Sequence, residues 1–233
     1  MAVKRAAPVR AWGETVLPEP TPRSSGRTEG GLRKRSKARK LENIRRAARE
    51  LFVEKGYDAT TTRAIAKCAG VGLGTLFTYA ADKRDLLFLI FNDELIELAS
   101  QAFARENSAP ALADRLVAVF HDFYAYFARQ PNLARFLLRE LTFYTHGLEA
   151  RRFQAHRDQI VAGVTALVKR GRTDGIVAAA DDDTLVARAI FDIYTAEVRR
   201  WLADDSREPS LAQGLTTLRR MLQVLVDGMQ PRR

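Results

Sequence analysis

Two clusters of side chains stand out for the chemistry they could do. Thr62 and Arg63 form the first, and Thr75, Phe77, Thr78, Tyr79 and Lys83 form the second. Hydroxyls, a guanidinium, an aromatic edge and an ammonium are the groups that meet base edges and phosphates of duplex DNA. Arg63 could grip a guanine bidentately, and a phosphate contact is the other reading of the same guanidinium. Thr75 and Thr78 can offer a methyl to thymine or a hydroxyl to phosphate. Tyr79 and Lys83 suit the DNA backbone, where they would set register and carry no sequence information. Phe77 has two readings, one on the DNA side and one packed against the preceding helix.

To act together these groups need two short helices and a tight corner, and the stretch from Thr61 to Lys83, TTRAIAKCAGVGLGTLFTYAADK, can form them. Thr61 suits a helix N-cap, Ile65 and Ala66 supply an inward face, and Gly70 suits the left-handed position where the first helix must stop. Val71 fills the corner. The spacing predicts a second helix from about Leu73 to Tyr79, with Leu73, Leu76 and Ala80 facing in and Thr75, Thr78 and Tyr79 facing out. A helix this short can enter a major groove.

These residues resemble the helix-turn-helix of the tetracycline-repressor (TetR) family of bacterial transcription regulators. Ile44, Ala47, Ala48, Leu51, Phe52 and Gly56-Tyr57 are similar to the family's first helix, and Thr61-Thr62-Arg63 with Ile65-Ala66 to its second. Gly74-Thr75-Leu76-Phe77-Thr78-Tyr79 and Lys83 resemble its recognition helix and the lysine after it. The resemblance covers roughly residues 38 to 90. It implies a DNA-binding set of Thr61, Thr62, Arg63, Leu73, Gly74, Thr75, Phe77, Thr78, Tyr79 and Lys83, joined by Arg35 and Lys37 from the preceding basic segment. Two departures stand in this stretch. Gly72 replaces a serine-like cap, which weakens the start of the recognition helix, and Ala80-Ala81 replaces an aromatic-proline pair.

Charge is concentrated ahead of this domain. Of the total of +10, residues 1 to 40 contribute +8, with eleven Lys or Arg against Glu14, Glu19 and Glu29. Residues 1 to 35 are rich in Pro, Gly, Ser and Thr without apolar periodicity, and are expected to form a disordered basic arm. Beside a DNA-reading domain its cations would neutralise phosphates and add affinity that falls steeply with salt; a solvated tail is the alternative. An arginine from it could also enter the minor groove. Pro8, Arg10, Gly13 and Glu14 interrupt any signal-peptide core, which argues against secretion.

Composition limits the remaining choices. A chain of 233 residues can hold one small and one larger domain with a full core. The single cysteine, Cys68, excludes an intrachain disulfide framework, fits a reducing cytoplasm and is expected to pack in the first reading helix. The longest apolar run, Leu86 to Phe91, is too short to span a bilayer, so no membrane contact is expected.

After Lys83 the pattern is helical almost throughout. Helices are predicted from Asp85 to about Glu106, from Pro110, from Pro131, from Leu148 to Arg172 with a stop at Gly175, from Asp183 to Ala203 and from Pro209 to Gly228. The fold class is therefore all-α: a helix-turn-helix domain over residues 36–84 and a helical ligand-binding and dimerisation domain over 85–230. Ile190, Tyr194 and Trp201, with Leu215, Leu218, Leu222 and Leu225, form stripes that must be buried in the chain's own core or against a second copy. The resemblance favours the second copy, and with it a homodimer on a near-palindromic operator whose half-sites lie about 34 Å apart.

Aromatic residues gather in the middle of the larger domain. Phe120, Phe123, Tyr124, Phe127 and Phe143 could wall an apolar pocket for an unidentified small molecule, with Arg135, Arg139 or His146 as polar anchor; ordinary core is the alternative. Ligand and DNA would then select different conformations of the dimer, with a coupling of about 1–3 kcal/mol, and the helix from Asp85 to Glu106 would be the link. Together these readings describe a repressor released from its operator by a ligand, with no cofactor. The alternative is a basic architectural protein that binds DNA without sequence preference.

Catalytic signatures do not assemble. His121, His146 and His156 lack metal-ligand spacing, and no serine lies in a nucleophile elbow. Gly70-Val71-Gly72-Leu73-Gly74 resembles a nucleotide-binding loop only superficially, since a helix and not a strand precedes it.

Overall fold

The computed structural model describes residues 26–105, 109–177, 182–204 and 207–228, with side chains from residue 31 onward. The chain divides into a unit of residues 1–38 and a unit of residues 39–233. The first helix, α1 (Gly26–Lys55), runs through the boundary between them.

In the first unit the backbone is helical from Gly26, so the expected disorder of the basic arm does not hold over residues 26–35. No proline follows residue 22 in this unit, and Leu32, Arg33, Lys34 and Arg35 are good helix formers that offset the glycines before them. Once a helix is nucleated, each added residue contributes a hydrogen bond at little further entropic cost. Arg33, Lys34, Arg35 and Lys37 are exposed along it. Residues 1–25 of the expected arm lie outside the described residues.

In the second unit, the rest of α1 buries Ile44, Ala47, Ala48, Leu51 and Phe52, a stripe at three- and four-residue spacing. It packs with α2 (Thr62–Cys68) and α3 (Leu73–Leu76) into a small core that includes Tyr57, Ile65, Ala66, Leu76 and Ala80. The side chain of Thr60 closes the connection, its Oγ1 donating to Leu51 O at 3.0 Å and Gly56 O at 2.7 Å.

The larger helices follow: α4 (Lys83–Ala104), α5 (Leu112–Arg129), α6 (Pro131–Glu140), α7 (Ala150–Thr173), α8 (Asp183–Leu202) and α9 (Leu211–Gly228), with a 3-10 turn at Leu141–Phe143. Among the described residues there is no strand. Asp85 through Asn92 of α4 are buried on every side, because this helix runs through the middle of the bundle. Its apolar run from Leu86 to Phe91 is thus core, and among the described residues no helix is long and apolar enough to cross a membrane. The main packing pairs are α7 with α8, α5 with α9, and α4 with α7.

Three expectations need correction. The second reading helix stops at Leu76, and residues 77–80 continue as tight turns, with Thr78 N donating to Thr75 O at 3.1 Å and Tyr79 N to Leu76 O at 2.9 Å. A four-residue helix with a glycine N-cap that makes no side-chain bond has little to hold further α-helical turns. Cys68 is exposed and does not pack in α2. Ile190, Tyr194, Leu218 and Leu222 are buried within this chain, so they are core and cannot also form a surface seam. Trp201, Leu215 and Leu225 remain half-buried beside them. The periodicity of α9 records the face that packs on α5 and α8.

Candidate functional site

The reading head is positioned by local chemistry. Thr61 caps α2, its Oγ1 accepting from Ala64 N at 3.1 Å. Gly70 has φ +67, a conformation other residues rarely adopt, and Val71 N returns to Ala66 O at 3.0 Å to fix the corner. Ile65, Leu76 and Ala80 are buried, which fixes the rotation of both short helices. Arg63, Gly74 and Thr78 are consequently exposed, and Thr62, Thr75 and Tyr79 are half-exposed on the same head. Phe77 is 43% exposed, so packing does not consume it. Leu73 lies against the core.

Lys83 is placed differently from a free phosphate grip. Its Nζ donates to Tyr57 O at 2.9 Å and Asp58 O at 3.2 Å and sits 4.5 Å from the centre of the Tyr57 ring. It therefore ties the end of the recognition segment to the loop after α1.

Behind the head lies a buried polar junction. Asp82 caps α4 by accepting from Asp85 N at 2.7 Å. The Asp85 carboxylate, fully buried, accepts from Ala81 N at 2.8 Å, Leu148 N at 2.9 Å and Glu149 N at 2.9 Å, and from the Tyr144 hydroxyl. Four donors on one carboxylate satisfy a charge that would otherwise be costly to bury. Tyr144 also stacks on Phe88, with ring centres 3.7 Å apart. Burial and its bond to Asp85 push the Tyr144 hydroxyl well above the usual phenol range. Gly147 is required here: its φ is +135, and an added Cβ would lie 2.5 Å from Asp85 Oδ1.

Ion pairs extend the junction across the helices. Arg45 of α1 and Arg152 of α7 both pair with Asp93 of α4, and Arg152 also reaches Glu149 at 2.9 Å. Asn92 donates to Glu149 at 2.8 Å. On the other side, Arg139 pairs with Asp58 at 2.8 Å, and Arg84 with Glu140 at 3.1 Å.

The larger domain contains a partly open cavity of about 270 Å³ between α4, α5, α6, α7 and α8. Leu95, Phe123, Phe127, Phe153, Ile160 and Phe191 make most of its wall apolar, while Thr142, Arg157, Asp192, Thr195 and Arg199 add polar groups. Of the ligand-contacting residues expected from sequence, Phe123 and Phe127 line it. Phe120 stacks on Tyr194, and Tyr124 packs on Trp201, with Gly214 close enough that a Cβ there would touch both rings. Arg135 is bonded to Leu202 O at 2.6 Å and Asp204 O at 2.8 Å, and Arg139 to Asp58, so neither points a free charge into this cavity. Phe143 and His146 are exposed on the connection before α7.

Sequence reasoning missed His156. It lines the cavity, is 3% exposed, and its Nδ1 has no hydrogen-bond partner. Burial alone pushes its pKa down to about 4, so the ring is neutral at physiological pH. The available signal was its place on the face shared by Phe153 and Ile160, three before and four after. Among the described residues no group of three or more His, Cys, Asp or Glu could hold a metal.

Comparison with known proteins identifies this architecture. Residues 44–90 match the profile of bacterial regulatory proteins of the tetR family, and residues 109–208 match that of the tetracyclin repressor-like C-terminal domain. The chain belongs to the TetR family. It is 25% identical over 199 residues to the fatty acid metabolism regulator protein of Bacillus subtilis, covering 84% of this chain and 98% of that one. The transcriptional repressor KstR of Rhodococcus jostii is 25% identical over 187 residues, covering 80% and 84% respectively. The TetR-family transcriptional repressor FadR of Thermus thermophilus, solved with lauroyl-CoA, superposes with a TM-score of 0.63 at 26% identity, covering 83% of this chain and 96% of that one. As a TetR-family member the chain is a helix-turn-helix DNA-binding regulator of transcription.

Proposed function

We propose that this protein is a homodimeric repressor that leaves a near-palindromic operator when an acyl thioester of coenzyme A enters its cavity. The observation that carries the reading is the Asp85 junction. Leu141 and Thr142 line the cavity, Tyr144 follows them and donates to Asp85, and Asp85 holds Ala81 at the end of the reading head. A ligand that displaces the 141–144 segment disturbs the bonds that orient the recognition helix. A coupling of about 1–3 kcal/mol between the two sites suffices to shift occupancy of DNA.

The ligand class follows from two supports. The cavity wall is mainly aliphatic and aromatic with polar groups at a few points, as an acyl chain requires. The relatives include a fatty acid metabolism regulator and a repressor bound to lauroyl-CoA. For the DNA side, the assigned contacts are Arg63, Thr62, Thr75, Phe77, Thr78 and Tyr79, with Arg35 and Lys37 adding phosphate affinity. The second copy is assigned to the outer face of α8 and α9, where Leu185, Met221 and Val224 are exposed. Such a protein works in the cytoplasm, where operator and acyl thioesters meet.

The test is footprinting of the purified protein on DNA from upstream of its own gene, at physiological salt with competitor DNA. A discrete footprint over a near-palindrome, lost on adding lauroyl-CoA, is the expected result. Weak, salt-sensitive binding to every fragment would instead favour the architectural reading. A footprint indifferent to acyl-CoA would remove the ligand assignment and leave the operator.

A further inference from the structure

The inference concerns His156 and rests on the acyl-thioester reading above. The cavity wall is mainly apolar, and the nearly fully buried His156 of α7 is part of it, its Nδ1 without a hydrogen-bond partner. Phe153 and Ile160 flank this ring on the same helix face and also line the cavity. An orphaned polar atom in an apolar wall is a standing cost to the empty protein, and that cost is relieved when a ligand supplies a partner. We infer that His156 is the polar anchor of the ligand, donating a hydrogen bond from Nδ1 to the acyl carbonyl oxygen and so fixing how deep the chain enters.

The chemistry is consistent at each step. Burial keeps the imidazole neutral, so it carries one N–H, and an incoming carbonyl, which can only accept, selects the tautomer with that hydrogen on Nδ1. A neutral donor suits a neutral carbonyl at this part of the wall, where Phe153 and Ile160 flank the imidazole and a charged anchor would have to be desolvated at each binding event. A chain with a hydrogen-bonding oxygen at the right depth is thereby separated from a plain hydrocarbon of the same length, the kind of discrimination that a buried polar group provides best. Arg199, which lines the same cavity and whose Nε is also without a partner, is the rival anchor.

The experiment compares two probes on two full-length proteins by calorimetry: dodecanoyl-CoA and its thioether analogue S-dodecyl-CoA, with wild type and His156→Leu. The expected result is that wild type prefers the thioester by about tenfold, the scale of one buried hydrogen bond, and that His156→Leu binds the two probes equally. Thermal melting of the unliganded proteins checks the fold, and the variant is expected to melt no lower than wild type because the orphaned atom is gone. Equal preference for the thioester in both proteins overturns the assignment and moves the anchor to Arg199. A variant that melts well below wild type also counts against it, since His156 would then be serving the fold. Failure of wild type to bind either probe sinks the acyl-thioester reading itself, an outcome distinct from binding without discrimination.

Discussion

Asp85 and Glu149 are joined by a hydrogen bond of 2.9 Å from the Glu149 amide to Oδ1, so the first turn of α4 is fastened to the residue that precedes α7. The other oxygen of Asp85 holds Ala81, one residue past the buried Ala80 of the reading head. One carboxylate thus touches the DNA-reading element and the segment leading to the cavity wall. Repacking at either end must break or re-form the same bonds, which is the requirement for a two-state coupling element.

Replacement of Asp85 by Asn is the sharpest probe of that junction. The amide group would set two N–H donors against donors already there, leaving at least one buried pair unmade. We expect a loss of about 3 kcal/mol in urea unfolding, from the unsatisfied donors and the lost charge-assisted bonds. Under conditions where the variant remains folded, operator binding should respond less to acyl-CoA than in wild type. A variant with full stability and an unchanged ligand response would show that the junction is dispensable.

His156 gives a pH signature that can be read without any ligand. Its folded pKa, about 4, lies below the ordinary histidine value, so at pH 7 the ring is neutral in both folded and unfolded chains. As pH falls below about 6.5 the unfolded chain takes up a proton that the folded chain refuses, and stability declines until the folded pKa is reached. The contribution is therefore present above pH 6.5 and lost towards pH 4, in total on the order of 3 kcal/mol. Carboxylates add slopes of their own, so the measurement is the difference between wild type and His156→Leu in unfolding titrations from pH 7 to 4. A difference that stays flat across this window would mean that the imidazole is not shielded as the structure shows.

The two classes of DNA contact separate by salt and by sequence. Arg63→Ala should cost about 1–3 kcal/mol on the operator and little on random DNA if its guanidinium reads a base. Arg35→Ala should weaken both to a similar degree and lower the slope of log affinity against log salt by about 1. Fluorescence anisotropy at several salt concentrations resolves them. An Arg63 variant that weakens operator and random DNA alike would reassign that side chain to phosphate.

Much of this was legible in the sequence, and the failures have physical causes. The cap at Thr61, the left-handed Gly70 and the inward Ile65, Ala66, Leu76 and Ala80 are local features, set by residues within a turn or two. The helical domain was legible for the same reason, since each helix shows its apolar stripe. What a stripe does not reveal is which surface covers it. Leu218 and Leu222 read equally well as core or as a seam between copies, and only their packing against α5 and α8 decides for core. Likewise Arg135 and Arg139 looked like ligand anchors because their partners, Leu202 O and Asp58, lie 67 and 81 residues away in sequence. The roles of Asp85 and His156 were not legible because an acidic residue at a helix start and a lone histidine in an amphipathic helix look ordinary until tertiary structure buries them.

The division between core and outer face yields the last prediction, on assembly. Val224 is 74% exposed and Met221 40% exposed on α9, one turn apart, while Leu218 and Leu222 on the inner face are fully buried. If the outer face is covered by a second copy, Val224→Glu places a charge in the seam and should convert a dimer to monomer in analytical ultracentrifugation while leaving the helical signal intact. Leu218→Ala should act oppositely: it opens a cavity in the chain's own core and costs about 2–5 kcal/mol in unfolding, with dimerisation affected only as the fold weakens. A Val224→Glu protein that remains dimeric and folded would place the interface elsewhere. Loss of the dimer should also abolish the footprint at physiological salt, because a single reading head keeps half of the phosphate contacts and one half-site.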